Sequence, residues 1–252
     1  MAFQRFLAAA LLLITVVLEG CTQHPLPRMD GYLGSAGQGA GDGVVFQADQ
    51  KGGQLNAGLL LVNDTSAQRS APALSDKAKA FLADQVRQRV ERATPIRLGQ
   101  VLMVGDPSRP QDQAALAGLA REQGCTHALV ALFSSEESEV PTYLPVTGDP
   151  EQGGTRPGVP GYEAVNYALA ELALIDAASG QVVARSQGRA WARLNRLNVP
   201  IKSNAYPVIH RSQRVAPIYP PEADAKDILR SIAGDEALEQ AVAKLQEAWA
   251  KS

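Results

Sequence analysis

The sequence predicts an α/β fold: a single domain built on one mixed β-sheet of about five strands, with three or four helices packed mainly on one face and long Pro- and Gly-rich loops. Three observations predict it. Short apolar runs bounded by turn formers, residues 127–133 above all, read as strands covered on both faces. Between them lie stretches whose apolar residues recur at helical spacing. Towards the C-terminus two long strand-like runs follow one another across a tight turn, so part of the sheet is antiparallel.

The first strand is expected at residues 57–64, Ala-Gly-Leu-Leu-Leu-Val-Asn-Asp. A helix follows, capped by Ser75, with Ala78, Leu82, Val86 and Val90 on its buried face and Lys79, Arg87 and Arg89 towards water. Pro95 stops it, and residues 96–104 read as the second strand. Residues 111–123 form a second helix, with Ala115, Leu116, Leu119 and Ala120 as its stripe and Gly124 as its stop. Strand three, 127–133, comes at once, with Cys125 at its entry as a small buried hydrophobe. Residues 165–176 and 181–193 form a hairpin: Asp176 can bind the turn backbone, and Gly180 can take the positive φ the turn requires. In the second of these strands Arg185, Gln187, Arg189 and Arg193 alternate with Ala184, Ser186, Gly188, Ala190 and Ala192, so the small residues turn inward. A short helix at 223–232 is expected to break at Gly234. Asp235 then caps a last helix with Leu238, Val242, Leu245 and Trp249 as its stripe.

The N-terminus carries an address. Arg5 precedes an apolar run over residues 6–18, too short for the roughly 20 residues that cross a bilayer as a helix. The run closes in Leu18-Glu19-Gly20-Cys21, which resembles the lipobox of lipoprotein signal peptides, with Leu18 and Gly20 as recognition positions and Cys21 as the acylated residue; Glu19 departs from the small or apolar residue usual there. The resemblance implies a signal peptide over 1–20, a lipid-anchored (palmitate-bearing) Cys21 and, because Thr22 stands where an aspartate would signal inner-membrane retention, an outer-membrane location with the domain facing the periplasm. Residues 21–56 are then the lipidated cysteine and its tether, since the Gly-, Pro- and Ser-rich stretch 22–43 has too little apolar surface to order itself. The domain occupies 57–252. A formal net charge of −2 gives no field to steer the chain to nucleic acid.

Two stretches carry a wider resemblance. Leu119-Ala120-Arg121-Glu122-Gln123-Gly124-Cys125-Thr126-His127-Ala128-Leu129-Val130 and Leu172-Ala173-Leu174-Ile175-Asp176-Ala177-Ala178-Ser179-Gly180-Gln181-Val182-Val183-Ala184 are similar to the helix–glycine–strand and the hairpin of a periplasmic lipoprotein group. That group includes the curli secretion lipoprotein CsgG, the Pel export lipoprotein PelC, the penicillin-binding-protein activator LpoB and the N-terminal domain of TolB. The resemblance implies a fold and an envelope setting but no shared activity.

Two segments depart from the group and read as long loops, 134–163 and 194–221, each with five prolines. The first is acidic, with Glu136, Glu137, Glu139, Asp149, Glu151 and Glu163. The second belongs to a basic stretch holding Arg185, Arg189, Arg193, Arg196, Lys202, Arg211 and Arg214. These cations are candidate contacts for an anionic glycan, a lipid headgroup or an acidic envelope protein. The alternative is that the acidic and basic segments neutralise each other. Tyr143, Tyr162, Tyr206 and Tyr219 lie in or beside the same segments and either form an interaction surface or pin the segments down.

Catalysis, cofactors and metals find little support. His24, His127 and His210 are attached to no nucleophile motif, Cys125-x-His127 offers too few ligands for zinc, and no G-x-S-x-G, H-E-x-x-H, P-loop or Cys-x-x-Cys pattern occurs. The sequence thus favours a non-enzymatic accessory or scaffold lipoprotein of an envelope assembly or export system. A ring-forming export subunit, hence a homo-oligomer, is the alternative, and a hydrolase without a recognisable motif ranks last.

Overall fold

The computed structural model describes residues 24–33, 53–103, 113–145, 158–199, 203–213 and 216–251. They form one mixed sheet of six strands in the order β2-β1-β3-β4-β5-β6. The strands are β1 (Leu55–Asp64), β2 (Ile96–Met103), β3 (His127–Leu144), β4 (Val159–Asp176), β5 (Val182–Leu197) and β6 (Val208–Arg211). β1 lies parallel to both β2 and β3, and β3 through β6 form an antiparallel meander. Four helices accompany it: α1 (Met29–Leu33), α2 (Asp76–Ala93), α3 (Gln113–Glu122) and α4 (Ala225–Lys251).

The two long helices, α2 and α4, share a core with the sheet face formed by Leu59, Leu61, Leu129, Ala131, Phe133, Leu172 and Leu174. The two short ones, α1 and α3, pack on the opposite face against Leu60, Val62, Val130, Leu132, Ala173 and Ile175. β1 and β3 are therefore apolar on both sides, which is why their sequences run unbroken instead of alternating. Helix α2 starts where the sequence places it: Ser75 Oγ accepts from the Ala78 N–H at 3.1 Å. At the β4–β5 turn, Asp176 accepts from the Ser179 N–H and hydroxyl, both at 2.7 Å, and Gly180 adopts φ 71°.

The small inward face of β5 admits α4 at backbone distance. A Cβ on Gly188 would lie 2.1 Å from the Ala237 carbonyl oxygen and 2.6 Å from the Ala241 nitrogen, closer than any side chain fits. The same approach brings Gln240 to the free edge of β5, where its side-chain oxygen accepts from the Arg189 N–H at 3.4 Å and occupies a donor that an edge strand would leave open.

Five expectations are corrected. Most of segment 134–163 is strand instead of loop: β3 runs on to Leu144 and β4 begins at Val159, eighteen residues each, and 146–157 lie outside the described residues. Pro141 and Pro160 are tolerated because each lies where its strand lacks one neighbour: β1 pairs with β3 only as far as Ser134, and β5 pairs with β4 only from Gly161. Segment 194–221 likewise contributes the end of β5 and the whole of β6, whose Val208 and Ile209 are buried.

The C-terminal region is one 27-residue helix with no break at Gly234. Gly234 faces Leu82 and Phe133, where an added Cβ would meet Leu82 at 3.4 Å, and this packing offsets the roughly 1 kcal/mol that glycine costs in a helix. Asp235 caps nothing. Its carboxylate receives Arg89 of α2 at 2.8 Å, while Arg89 also reaches Glu239 at 3.0 Å. Finally, the tether expected at 21–56 does not hold for residues 24–33, which are packed on the domain, and β1 begins at Leu55.

Gly188→Ala should destabilise the domain by about 1–3 kcal/mol or more, because backbone on both sides must move. Urea unfolding should show the loss as a lower midpoint, and Ala190→Gly, next but one on the same face, should lack the clash and show only the small loss of a buried methyl.

Candidate functional site

The described segment nearest to Cys21, residues 24–33, is built into the fold, and one carboxylate holds it. Glu171 sits in the apolar stretch of β4, 5 % exposed, on the face opposite α2 and α4. Its two oxygens accept from the backbone N–H groups of Arg28, at 2.8 Å, and Met29, at 3.2 Å, at the entry to α1. Burial raises the Glu171 carboxyl above the usual carboxylate range, and the two N–H donors oppose that rise. Beyond this cap, Met29, Tyr32 and Leu33 bury their side chains in the second core. Tyr32 is so enclosed that its phenol is pushed up to about 12. The Arg185 guanidinium forms an ion pair with Asp30 of α1, and Arg28 lies 4.0 Å from Asp64 at the end of β1.

Upstream of this dock, the His24 ring meets Tyr167 edge-on, centroids 4.9 Å apart. Tyr167 stands four residues before Glu171 on the same strand and therefore on the same face. Its partner across the β4–β5 ladder is Trp191, and Arg193, two residues on, holds its guanidinium 5.6 Å from the Trp191 ring. Leu26 between these groups is 70 % exposed.

Strand alternation divides the candidate cations in two. Arg185, Arg189 and Arg193 share the face of Tyr167 and Trp191. Of these, Arg185 is bound to Asp30, Arg193 lies 3.6 Å from Glu163, and Arg189 is exposed. Arg196 and Arg211 turn to the α4 face. There Arg196 meets Glu139 at 3.2 Å and Glu222 at 3.7 Å, with Tyr162 beneath its guanidinium, and Arg211 lies 3.8 Å from the buried Glu236. Acidic and basic segments do meet in this way: Glu137 also receives Arg230 at 2.8 Å. Of the four tyrosines, Tyr206 donates to the Pro145 carbonyl at 3.0 Å, while Tyr143 and Tyr219 are exposed. Lys202 and Arg214 lie outside the described residues, as do Leu18, Gly20 and Cys21.

His127 does lie beside a carboxylate. Its Nδ1 is 2.8 Å from Thr126 Oγ1 and its Nε2 is 3.8 Å from Asp176. Each partner already serves the backbone, however: Thr126 Oγ1 donates to the Asn56 carbonyl at 2.9 Å, and Asp176 builds the hairpin turn. Burial lowers the His127 pKa, with Asp176 acting against it. His210 is exposed on β6 opposite Arg193, and among the described residues it joins no such cluster. Among the described residues no group of three His, Cys, Asp or Glu side chains is arranged to hold a metal ion, and Cys125 is buried as a free thiol.

Sequence reasoning missed Glu171. Its signal was present: one acid inside Ala168-Leu169-Ala170-Glu171-Leu172-Ala173-Leu174, where burial demands a partner.

No protein-family model and no curated protein matches the chain. Among solved structures it is similar to the PelC dodecamer of Paraburkholderia phytofirmans, at 16 % identity and a TM-score of 0.34, over 80 % of this chain and 93 % of that one. It is also similar to a hypothetical protein of Chlamydia trachomatis, at 12 % identity and a TM-score of 0.35, over 78 % and 99 %. Likenesses this distant assign neither a family nor an activity.

Glu171→Ala should release 24–33 from the sheet, with amide exchange at Arg28 and Met29 accelerating at least tenfold, since each orphaned buried donor costs about 1–3 kcal/mol. For His127 the sign follows from its lowered pKa. The unfolded chain takes up a proton near the ordinary 6.5 while the folded site resists it, so this contribution is complete above that pH and is lost as pH falls through the folded value. Urea midpoints at pH 7.5 and 5.5 should therefore diverge more in the parent than in His127→Gln.

Proposed function

We propose that the chain is a non-enzymatic lipoprotein of the bacterial envelope, fixed to the outer membrane through an acylated Cys21 and serving as an accessory or scaffold component of a periplasmic assembly or export system. The observation that carries this reading is the docking of residues 24–33. A signal segment ending at Gly20 would leave Cys21 three residues before chain that packs on the folded body, so a lipid there would hold the domain close to the membrane. Among the described residues no helix is long and apolar enough to cross a membrane, which suits attachment by lipid.

The non-enzymatic part is supported by the state of the polar groups. The one histidine beside a carboxylate is buried, and the hydroxyl and carboxylate around it are engaged by a loop carbonyl and a turn. For a membrane-spanning ring subunit the β3–β4 extension is the natural spanning element, yet residues 135–144 carry Glu136, Glu137 and Glu139, which suits water or protein better than lipid.

Metabolic labelling with a palmitate analogue should mark the parent and leave Cys21→Ser unmarked, and the variant should accumulate unprocessed. An unmarked parent, or a Cys21→Ser chain processed and located like the parent, would overturn the reading.

A further inference from the structure

The sheet has one face closed by α2 and α4. The other carries α1 and α3 over β1, β3 and the Glu171 end of β4; among the described residues no helix lies over its distal part on β4 and β5, where Leu169 is fully buried, Tyr167 and Trp191 are half-buried and Arg189 and Arg193 are exposed. There Tyr167 and Trp191 stand side by side, with Arg189 and Arg193 flanking Trp191 along β5 and His210 opposite Arg193 on β6. We propose that the exposed part of this face, around Trp191, Arg189 and Arg193, is a membrane-contact surface that rests against anionic phospholipid headgroups. The proposal deepens the lipoprotein reading and depends on it.

Three observations identify the occupant. First, His24 is fixed against Tyr167, and Cys21 precedes it by three residues. A chain of that length reaches about 11 Å at most, so acyl chains on Cys21 would enter the bilayer within that distance of the open face. Second, the composition suits a headgroup layer. Tyrosine and tryptophan place an apolar ring and a polar tip at the boundary, arginine forks onto phosphate oxygens, and the protruding Leu26 can enter the acyl region beside the anchor. Third, the charges are free to engage. Arg189 is exposed, and the Arg193–Glu163 pair, at 3.6 Å and partly exposed on both sides, is of the weak kind that a phosphate can displace. Arg196 and Arg211, by contrast, are turned away to acids on the α4 side and take no part.

The two tryptophans make the test direct, because Trp249 lies on α4, beyond the opposite face. Full-length protein carrying Trp249→Phe, with Trp191 as its reporter, would be reconstituted into phosphatidylethanolamine–phosphatidylglycerol vesicles whose acyl chains are brominated near the headgroup. Trp191 fluorescence should shift to the blue, be quenched by the brominated lipid and lose acrylamide accessibility relative to detergent. The Trp191→Phe counterpart, reporting from Trp249, should show none of these changes. Arg189→Ala should raise the phosphatidylglycerol content needed for half-maximal quenching. Protein that floats with the vesicles while Trp191 stays unquenched and open to acrylamide overturns the proposal and spares the lipid anchor. Protein that does not float removes the anchor itself. Shielding of Trp191 that grows with protein concentration in the absence of lipid also overturns it, in favour of a second copy on this face.

Discussion

The close approach of α4 to β5 is the constraint on which the architecture depends. Gly188 has no Cβ, and around it Ala184, Ser186, Ala190 and Ala192 keep the inner surface of β5 shallow. The helix axis can then settle against the strand, close enough for Gln240 to hydrogen-bond the β5 backbone and for Glu236 to reach Arg211 and Ser212 beyond it. Through Asp235 and Glu239 the same helix holds Arg89 of α2. One long element thereby seals a strand edge and ties α2 to the antiparallel part of the sheet, while α1 and α3 close a second core on the other face.

What the sequence revealed and what it concealed divide along physical lines. Where a local pattern decides structure, the pattern was readable: the four-residue recurrence of Ala78, Leu82, Val86 and Val90, the unbroken run into Phe133, and the Asp176 to Gly180 turn all recur in the structure. Proline and glycine misled wherever a distant partner set their cost. Pro141 and Pro160 look like strand breakers until β1 is known to leave β3 after Ser134 and β5 to meet β4 only from Gly161, and Gly234 looks like a helix stop until Leu82 and Phe133 occupy the space above it. The dock of α1 was hidden for the same reason. Its Gly- and Pro-rich flanks suggest a free tether, whereas Glu171, more than 140 positions away, supplies the acceptors that its entry needs.

The basic stretch was legible as charge but not as geometry. Read along the chain, its arginines form one cationic ribbon. Period-two alternation splits them, sending Arg196 and Arg211 into ion pairs with acids on one side and Arg189 and Arg193 to the other, beside Trp191. A count of charges therefore overstated the cationic surface: of the five described positions, Arg185, Arg189 and Arg193 share a face with the aromatic pair, and Arg185 is held by Asp30.

The mixed topology carries a consequence for how the chain reaches this state. β3, β4, β5 and β6 join their neighbours in sequence order, and the β4–β5 link is a tight turn, so these pairings close with little loss of chain entropy. β1 must wait, because its slot lies between β2 and β3 and is reached only across two helical crossovers. Loop-closure cost thus orders assembly from the C-terminal meander outward. The N-terminal segment that clips onto Glu171 therefore docks only once the wall it leans on exists.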